Sequence, residues 1–184
     1  MNIFYLDQDP YVAARWHGDK HVSKMIIETA QMLSTAHHVL SKEYDANGKP
    51  FSHKANKLGL YKPTHINHPC SKWIRENSAN YDWAWKLFEG LCSEFYIRRA
   101  KIHATERLLD TLKIKPDITY ALKYTTPALA MPDEFKTDNP VESYRRYYKY
   151  KFLKGIVTYE WSEQRKAPAW LKKGEIDVET HVEK

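Results

Sequence analysis

The chain has 184 residues, 42% hydrophobic and 28% charged, which fits one packed domain and excludes wholesale disorder. Lys and Arg number 29 against 23 Asp and Glu, for a net charge of +6, and aromatics reach 14%. That pairing fits a nucleic-acid partner, though an ordinary basic protein with an aromatic core has the same composition. Cys70 and Cys92 lack C-x-x-C spacing, against a zinc ribbon or disulfide framework. No apolar run nears the roughly 20 residues of a membrane span and no signal-peptide pattern is present, so a cytoplasmic protein with no membrane partner is expected.

Met1 to Leu6 is short and apolar, and Asp9-Pro10 opens a brief helix through about Arg15. Asp19 reads as the N-cap of a long helix from Lys20 to about Lys42. Its apolar stripe is Val22, Met25, Ile26, Thr29, Met32, Leu33, Ala36, Val39 and Leu40. Tyr44 to Pro69 carries Asn47-Gly48, three prolines and a further glycine, the marks of a long irregular connection. A second long helix is expected from Asn80 to about Lys113, weakened at Gly90, with Trp83, Leu87, Leu91, Phe95, Ile102 and Leu109 facing inward. Pro116, Pro127 and Pro132 break the next stretch, and Asn139-Pro140 starts a third helix to about Lys154. Strand signals are almost absent. The expected fold is mainly α: one compact domain over residues 1–172, three long helices with long irregular connections, and a charged tail at 173–184.

On the first long helix His21, Lys24, Glu28, Gln31, Thr35 and His38 recur at steps of three and four. They fall within an arc of roughly 100° beside the apolar stripe, and Ile27 and Ala30 flank the strip on its outer side. A carboxylate held there among cations would be desolvated and oriented, fit for acid–base or electrostatic work. A solvated face with Lys24 and Glu28 as an i,i+4 pair fits the same spacing. The paired histidines lack the spacing of a zinc site, and Cys92 lies among large apolar residues as a core position. Asn67-His68-Pro69 with Trp73 and Arg75 reads as a phosphate-binding turn or as a plain helix start. The densest basic-aromatic run is Tyr144 to Lys151, in which Arg145 and Lys149 stand one helical turn apart.

Three blocks carry a family likeness. The first is Asp19-Lys20-His21-x-x-Lys24-x-x-x-Glu28-x-x-Gln31-x-Leu33 after a Met-Asn-x-Phe start. The second is Asn67-His68-Pro69-x-x-x-Trp73 with Tyr81, Ala84, Leu87, Glu94 and Arg98. The third runs from Thr126-Pro127 through Phe135, Tyr147-Tyr148, Phe152, Trp161, Pro168 and Trp170. Together they resemble the pyrimidine-dimer DNA glycosylase (phage endonuclease V-like) superfamily. The resemblance implies a helical domain whose N-terminal segment threads against the first long helix. It also implies a free α-amine that attacks C1′ of a damaged nucleotide and a Schiff base that can lead to β-elimination. A helix glutamate is the essential carboxylate, with a histidine seven residues before it; Glu28 and His21 keep that spacing.

An α-amine ordinarily titrates near 8, low enough for a useful neutral fraction. Here it belongs to Met1, or to Asn2 if Met1 is removed, and Asn2 disfavours that removal; Lys20 or Lys24 would be a substitute amine. Ile27 and Gln31 stand where the best-known member of that family has arginines flanking the glutamate, and residues 42–65 have no identified counterpart there. The expectation is a cofactor-independent DNA base-excision enzyme acting on double-stranded DNA, an N-glycosylase with abasic-site lyase activity open to it. Glu28, His21, Met1 and Asn2 form its catalytic set. Lys20 binds substrate, Lys24 and Gln31 orient it together with His21, and His68, Arg75, Arg145, Arg146 and Lys149 hold its phosphates. The alternatives are a non-catalytic nucleic-acid-binding protein on the same fold, and an enzyme that modifies nucleotides without excising the base.

Overall fold

The computed structural model describes residues 1–156, 160–161 and 164–171; the expected tail at 173–184 lies outside them. Among the described residues the chain is mainly helical and has no strand, only an isolated antiparallel bridge between Tyr44 and Pro50. The α-helices are α1 (Pro10–Trp16), α2 (Asp19–Leu40), α3 (His53–Lys57), α4 (Pro69–Ile74), α5 (Ser78–Arg99), α6 (Leu109–Lys113) and α7 (Pro140–Leu153).

The α5 helix is the central element. Tyr81, Trp83, Ala84, Trp85, Leu87, Phe88 and Leu91 are all buried, so most of its circumference is covered rather than one face. On one side α2 packs against it, and α1 packs against it too. Gly90 makes the α1 approach possible: a Cβ there would meet the Ala14 Cβ at 3.0 Å and the Tyr11 ring at 3.1 Å. The glycine that weakens the helix locally is thus the residue that admits its neighbour.

Two expected boundaries shift. The second long helix does not reach Lys113; it stops at Arg99, where Ala100 turns left-handed with φ 50°. A 3₁₀ turn at Ala104–Leu108 and the short α6 follow. Asp19 is also not a cap. Gly18 takes that position, its N–H donating to the Tyr148 hydroxyl at 3.0 Å, while Asp19 accepts from Arg98 at 3.0 Å. Arg98 is the reason: its guanidinium reaches the Arg15 carbonyl at 2.8 Å and the His17 carbonyl at 2.7 Å. It ties the junction of α1 and α2 to the last turn of α5. The start of α7 is as expected, Asn139 capping the Val141 N–H at 3.0 Å with Pro140 next.

The connection between α2 and α4 is irregular but anchored. The Ser52 N–H donates to His38 Nδ1 at 2.9 Å, and the Thr64 N–H donates to Thr35 Oγ1 at 3.1 Å. Between them the Ser52 side chain caps α3. The N-terminal segment is buried on both sides, with Ile3, Phe4, Tyr5 and Leu6 all in the core. It threads between the other elements instead of lying over them.

Candidate active site at the N-terminus and Glu28

The strip on α2 does not stay on one surface. Its apolar neighbours Val22, Met25, Ile26, Met32, Leu33 and Ala36 are in the core as the periodicity requires. His21, Thr35 and His38 are drawn under cover with them, leaving Lys24 exposed and Glu28 and Gln31 half-buried. At Glu28 the N-terminal segment comes in from 26 residues away. The Asn2 N–H donates to Glu28 Oε2 at 3.0 Å, and the Met1 amine lies 3.8 Å from the same oxygen. Lys24 Nζ stands 3.6 Å from the other oxygen. The Met1 side chain is only 3% exposed although the residue as a whole is half-buried. What Met1 presents to solvent is therefore mostly its main chain.

Asn2 fixes this arrangement. Its Nδ2 donates to the Ala130 carbonyl at 2.8 Å. Its Oδ1 accepts from the Ile3 and Phe4 N–H groups at 2.8 and 3.0 Å. The turn sets Phe4 at φ 39°, a left-handed conformation that a bulky residue adopts only when its surroundings hold it there. The 128–130 segment is itself tied to α7, since Tyr144 donates to the Ala128 carbonyl at 2.6 Å.

Two residues after Asn2, Phe4 enters an aromatic cluster. The Phe4 ring meets His21 edge-on at 4.6 Å and Tyr148 at 5.5 Å. His21 belongs to that cluster: its Nδ1 is 3.0 Å from the Tyr148 hydroxyl, and burial holds it well below the ordinary histidine range, helped by the charges of His17, Lys151 and Lys24. It supports the site from behind Phe4.

Lys151 closes the basic-aromatic run seen in the sequence without a site role there, and α7 delivers it here. Its Nζ lies 5.5 Å from the Phe4 ring centroid and 5.3 Å from that of Tyr147. Burial pushes its pKa down, the charge of Lys24 adds to that, and Glu28 opposes it. The signal was its place one turn after Tyr147 and three residues after the inward Tyr148. His68 is a further neighbour: burial lowers its pKa, the N-terminal amine and His65 add, and Glu28 opposes. Glu28 thus has the amine at 3.8 Å and Lys24 at 3.6 Å, and its charge is felt at Lys151, an excess of positive charge suited to an anionic ligand.

The other expected residues lie as follows. Lys20 is exposed. Arg75 is the C-cap of α4, half-buried and held below the ordinary arginine range by burial. Its Nη1 is buried without a hydrogen-bond partner. Arg145 is committed inside the fold, donating to the Leu6 carbonyl at 2.9 Å and to Asp7 at 3.1 Å, with Trp16 stacked 4.5 Å away. Arg146 pairs with Glu142 on the exposed side of α7, and Lys149 is half-buried on the same helix. The structure therefore gathers Met1, Asn2, Lys24 and Glu28, sets Lys151 over Phe4 and His68 within reach of their charges, places His21 against Phe4, and directs Arg145 and Arg146 elsewhere.

Cys70 is buried close by, with its thiol 3.7 Å from the Tyr144 hydroxyl, and burial pushes it up to about 11, so it is no nucleophile near neutrality. No group of three or more His, Cys, Asp or Glu side chains among the described residues is arranged to hold a metal. A groove of about 550 Å³ runs between the end of α2, α3 and residues 110–117, lined in part by Leu40, Ala55, Leu58 and Ile114. It includes none of the site residues. No helix among the described residues is long and apolar enough to cross a membrane. Comparisons with protein-family models, with curated proteins and with solved structures found no match.

Proposed function

We propose that this protein is a DNA N-glycosylase with abasic-site lyase activity, working through a Schiff base at its N-terminal amine. The observation that carries this reading is the amine of Met1 held 3.8 Å from Glu28, with the Asn2 N–H on the same carboxylate oxygen. A nitrogen beside a half-buried carboxylate among cations is an arrangement suited to proton transfer and nucleophilic attack. The likeness of the Asp19 to Leu33 block to the pyrimidine-dimer glycosylases supports the same reading.

In the proposed reaction the amine, in its neutral form, attacks C1′ of the target nucleotide. The N-glycosidic bond breaks, the base leaves with the electron pair, and the nitrogen is left bonded to C1′. Glu28 takes up a proton from the attacking nitrogen and passes it to O4′ as the C1′–O4′ bond opens, which leaves a ring-opened, protonated imine at C1′ whose positive charge the carboxylate balances. Loss of a C2′ proton then expels the 3′ phosphate with the C3′–O bond electrons. Water hydrolyses the imine and restores the amine. Lys24 and Lys151 hold the phosphates that flank the target, and the duplex gives up one nucleotide from its stack. If Met1 is removed, the nitrogen of Asn2 becomes the free amine, already 3.0 Å from the carboxylate.

The test is borohydride trapping on labelled duplex DNA bearing an abasic site or ultraviolet lesions, followed by peptide mapping. An adduct on Met1 or Asn2 is the expected result. Tight, salt-sensitive binding with no adduct on either substrate would refute the enzyme and leave a binding protein.

A further inference from the structure

Two anchors carry the turn before α4 across the Glu28 face of α2. At one end Thr64 binds the Thr35 hydroxyl through both its N–H, at 3.1 Å, and its carbonyl, at 3.2 Å. Thr35 follows Glu28 and Gln31 along that face. At the other end Cys70 is fully buried beside Tyr144, against the threaded N-terminal segment. Between the anchors lies His68, half-buried.

Its two ring nitrogens differ in what they can do. Nδ1 accepts the Cys70 N–H at 3.2 Å as the N-cap of α4, so a neutral ring carries its proton on Nε2. The charged groups that bear on it are the Met1 amine from the N-terminal segment, Glu28 from α2 and His65 on its own loop. Burial, the Met1 amine and His65 disfavour imidazolium, and the bond at Nδ1 adds to them. His68 is therefore a poor proton donor in the acid–base sense. It is a fixed neutral hydrogen-bond donor, kept neutral by a neighbouring N–H.

We infer that His68 is a further catalytic residue, whose Nε2–H donates a hydrogen bond to the pyrimidine base as the N-glycosidic bond breaks. The inference rests on the proposed glycosylase function. As the bond electrons move to the base, negative charge grows on its carbonyl oxygen next to the bond, and the donor stabilises it there. The proton stays on His68, and solvent protonates the base after release. The donor strengthens only as charge develops, so it acts on the transition state more than on binding.

Two isosteres separate this role from the capping role. His68→Asn keeps a group at the Nδ1 position and loses the one at Nε2, while His68→Gln does the reverse. Single-turnover glycosidic cleavage is measured on ultraviolet-irradiated duplex DNA, and borohydride trapping on preformed abasic duplex, with melting curves for all three proteins. The expected result is that His68→Asn slows glycosidic cleavage about tenfold to a hundredfold and leaves abasic trapping within about twofold. His68→Gln recovers most of the cleavage despite a lower melting temperature. Active Asn with inactive Gln would overturn the inference and leave His68 as a cap. Equal losses on both substrates would overturn it too. Wild-type protein that traps abasic DNA yet cleaves no glycosidic bond overturns it while sparing the lyase. Wild type that traps neither substrate removes the parent reading itself.

Discussion

Asn2 and Glu28, 26 positions apart, share a hydrogen bond from a main-chain N–H to a carboxylate oxygen at 3.0 Å. The bond comes from the main chain of residue 2, in the turn that the Asn2 side chain holds, and it sets where the first residue lies. The Met1 amine, 3.8 Å from the same oxygen, inherits its position from that contact. Glu28 therefore has two parts to play, one in holding the terminus and one in the chemistry proposed for it, and they separate on substitution.

Glu28→Gln keeps an oxygen that can accept the Asn2 N–H and removes the negative charge. The fold should survive with a loss under about 1 kcal/mol, because one hydrogen bond changes from charged to neutral. Turnover on abasic DNA should fall by at least about a hundredfold. DNA affinity should hold or rise, since a negative charge leaves a site that receives phosphates. Single-turnover rates beside a binding titration check this. A variant with unchanged turnover would exclude Glu28 from the reaction.

Asn2→Ala removes three hydrogen bonds at once and leaves the N–H groups of Ile3 and Phe4, both buried, without acceptors. A loss of about 2–4 kcal/mol is expected in denaturant unfolding. Asn2→Asp keeps the acceptor and loses the donor to Ala130, so its loss should be smaller. If Asn2 positions the amine, trapping yield should fall in Ala more than in Asp under conditions where both are folded. Equal yields from wild type, Asp and Ala would show that the turn at Phe4 holds without this side chain.

The helices were legible because apolar spacing and caps are local. Asn139-Pro140 and the Met25, Ile26, Met32, Leu33 stripe each announce themselves within a few residues. The site was half legible. Glu28 among Lys24 and Gln31 was visible as a strip on one helix, but spacing says nothing about which end of the strip gets covered. His21 disappears behind Phe4 because a segment 17 residues earlier folds over it. Lys151 and Arg145 invert the expectation for the same reason. Both sit in one basic-aromatic run, and only the threaded N-terminal segment decides that Lys151 faces Phe4 while Arg145 grips Leu6 and Asp7. The break at Ala100 was hidden too, since it depends on Arg98 turning inward to the carbonyls of α1.

Lys151→Met tests the residue of that run to which the sequence assigned no site role. Methionine preserves the buried stem against Phe4 and Tyr147 and removes the charge. Stability should change by less than about 1 kcal/mol, or improve, because burial already disfavours the charge. If Lys151 holds a phosphate, the slope of log affinity against log salt should shrink by about one unit. An unchanged slope would place the phosphate contacts elsewhere on the molecule.

Acid should destabilise this protein before its carboxylates titrate. His17 is fully buried, its Nδ1 2.7 Å from the Ala13 carbonyl. Burial lowers it to about 4, with the Arg98 charge helping and the hydrogen bond to Ala13 opposing. His21 is lowered in the same direction. Both bind a proton near pH 6.5 once unfolded, so the unfolded state takes up more protons below that point. Their contribution is complete above about pH 6.5 and is lost as the pH falls from there toward 4. From His17 alone the loss approaches about 3 kcal/mol by pH 4. Urea midpoints at pH 7.5, 6, 5 and 4.5 should fall steadily from the second value on. A flat profile between pH 6.5 and 5, where few carboxylates titrate, would mean that solvent reaches the ring of His17 and that Phe4 and Tyr148 do not seal it.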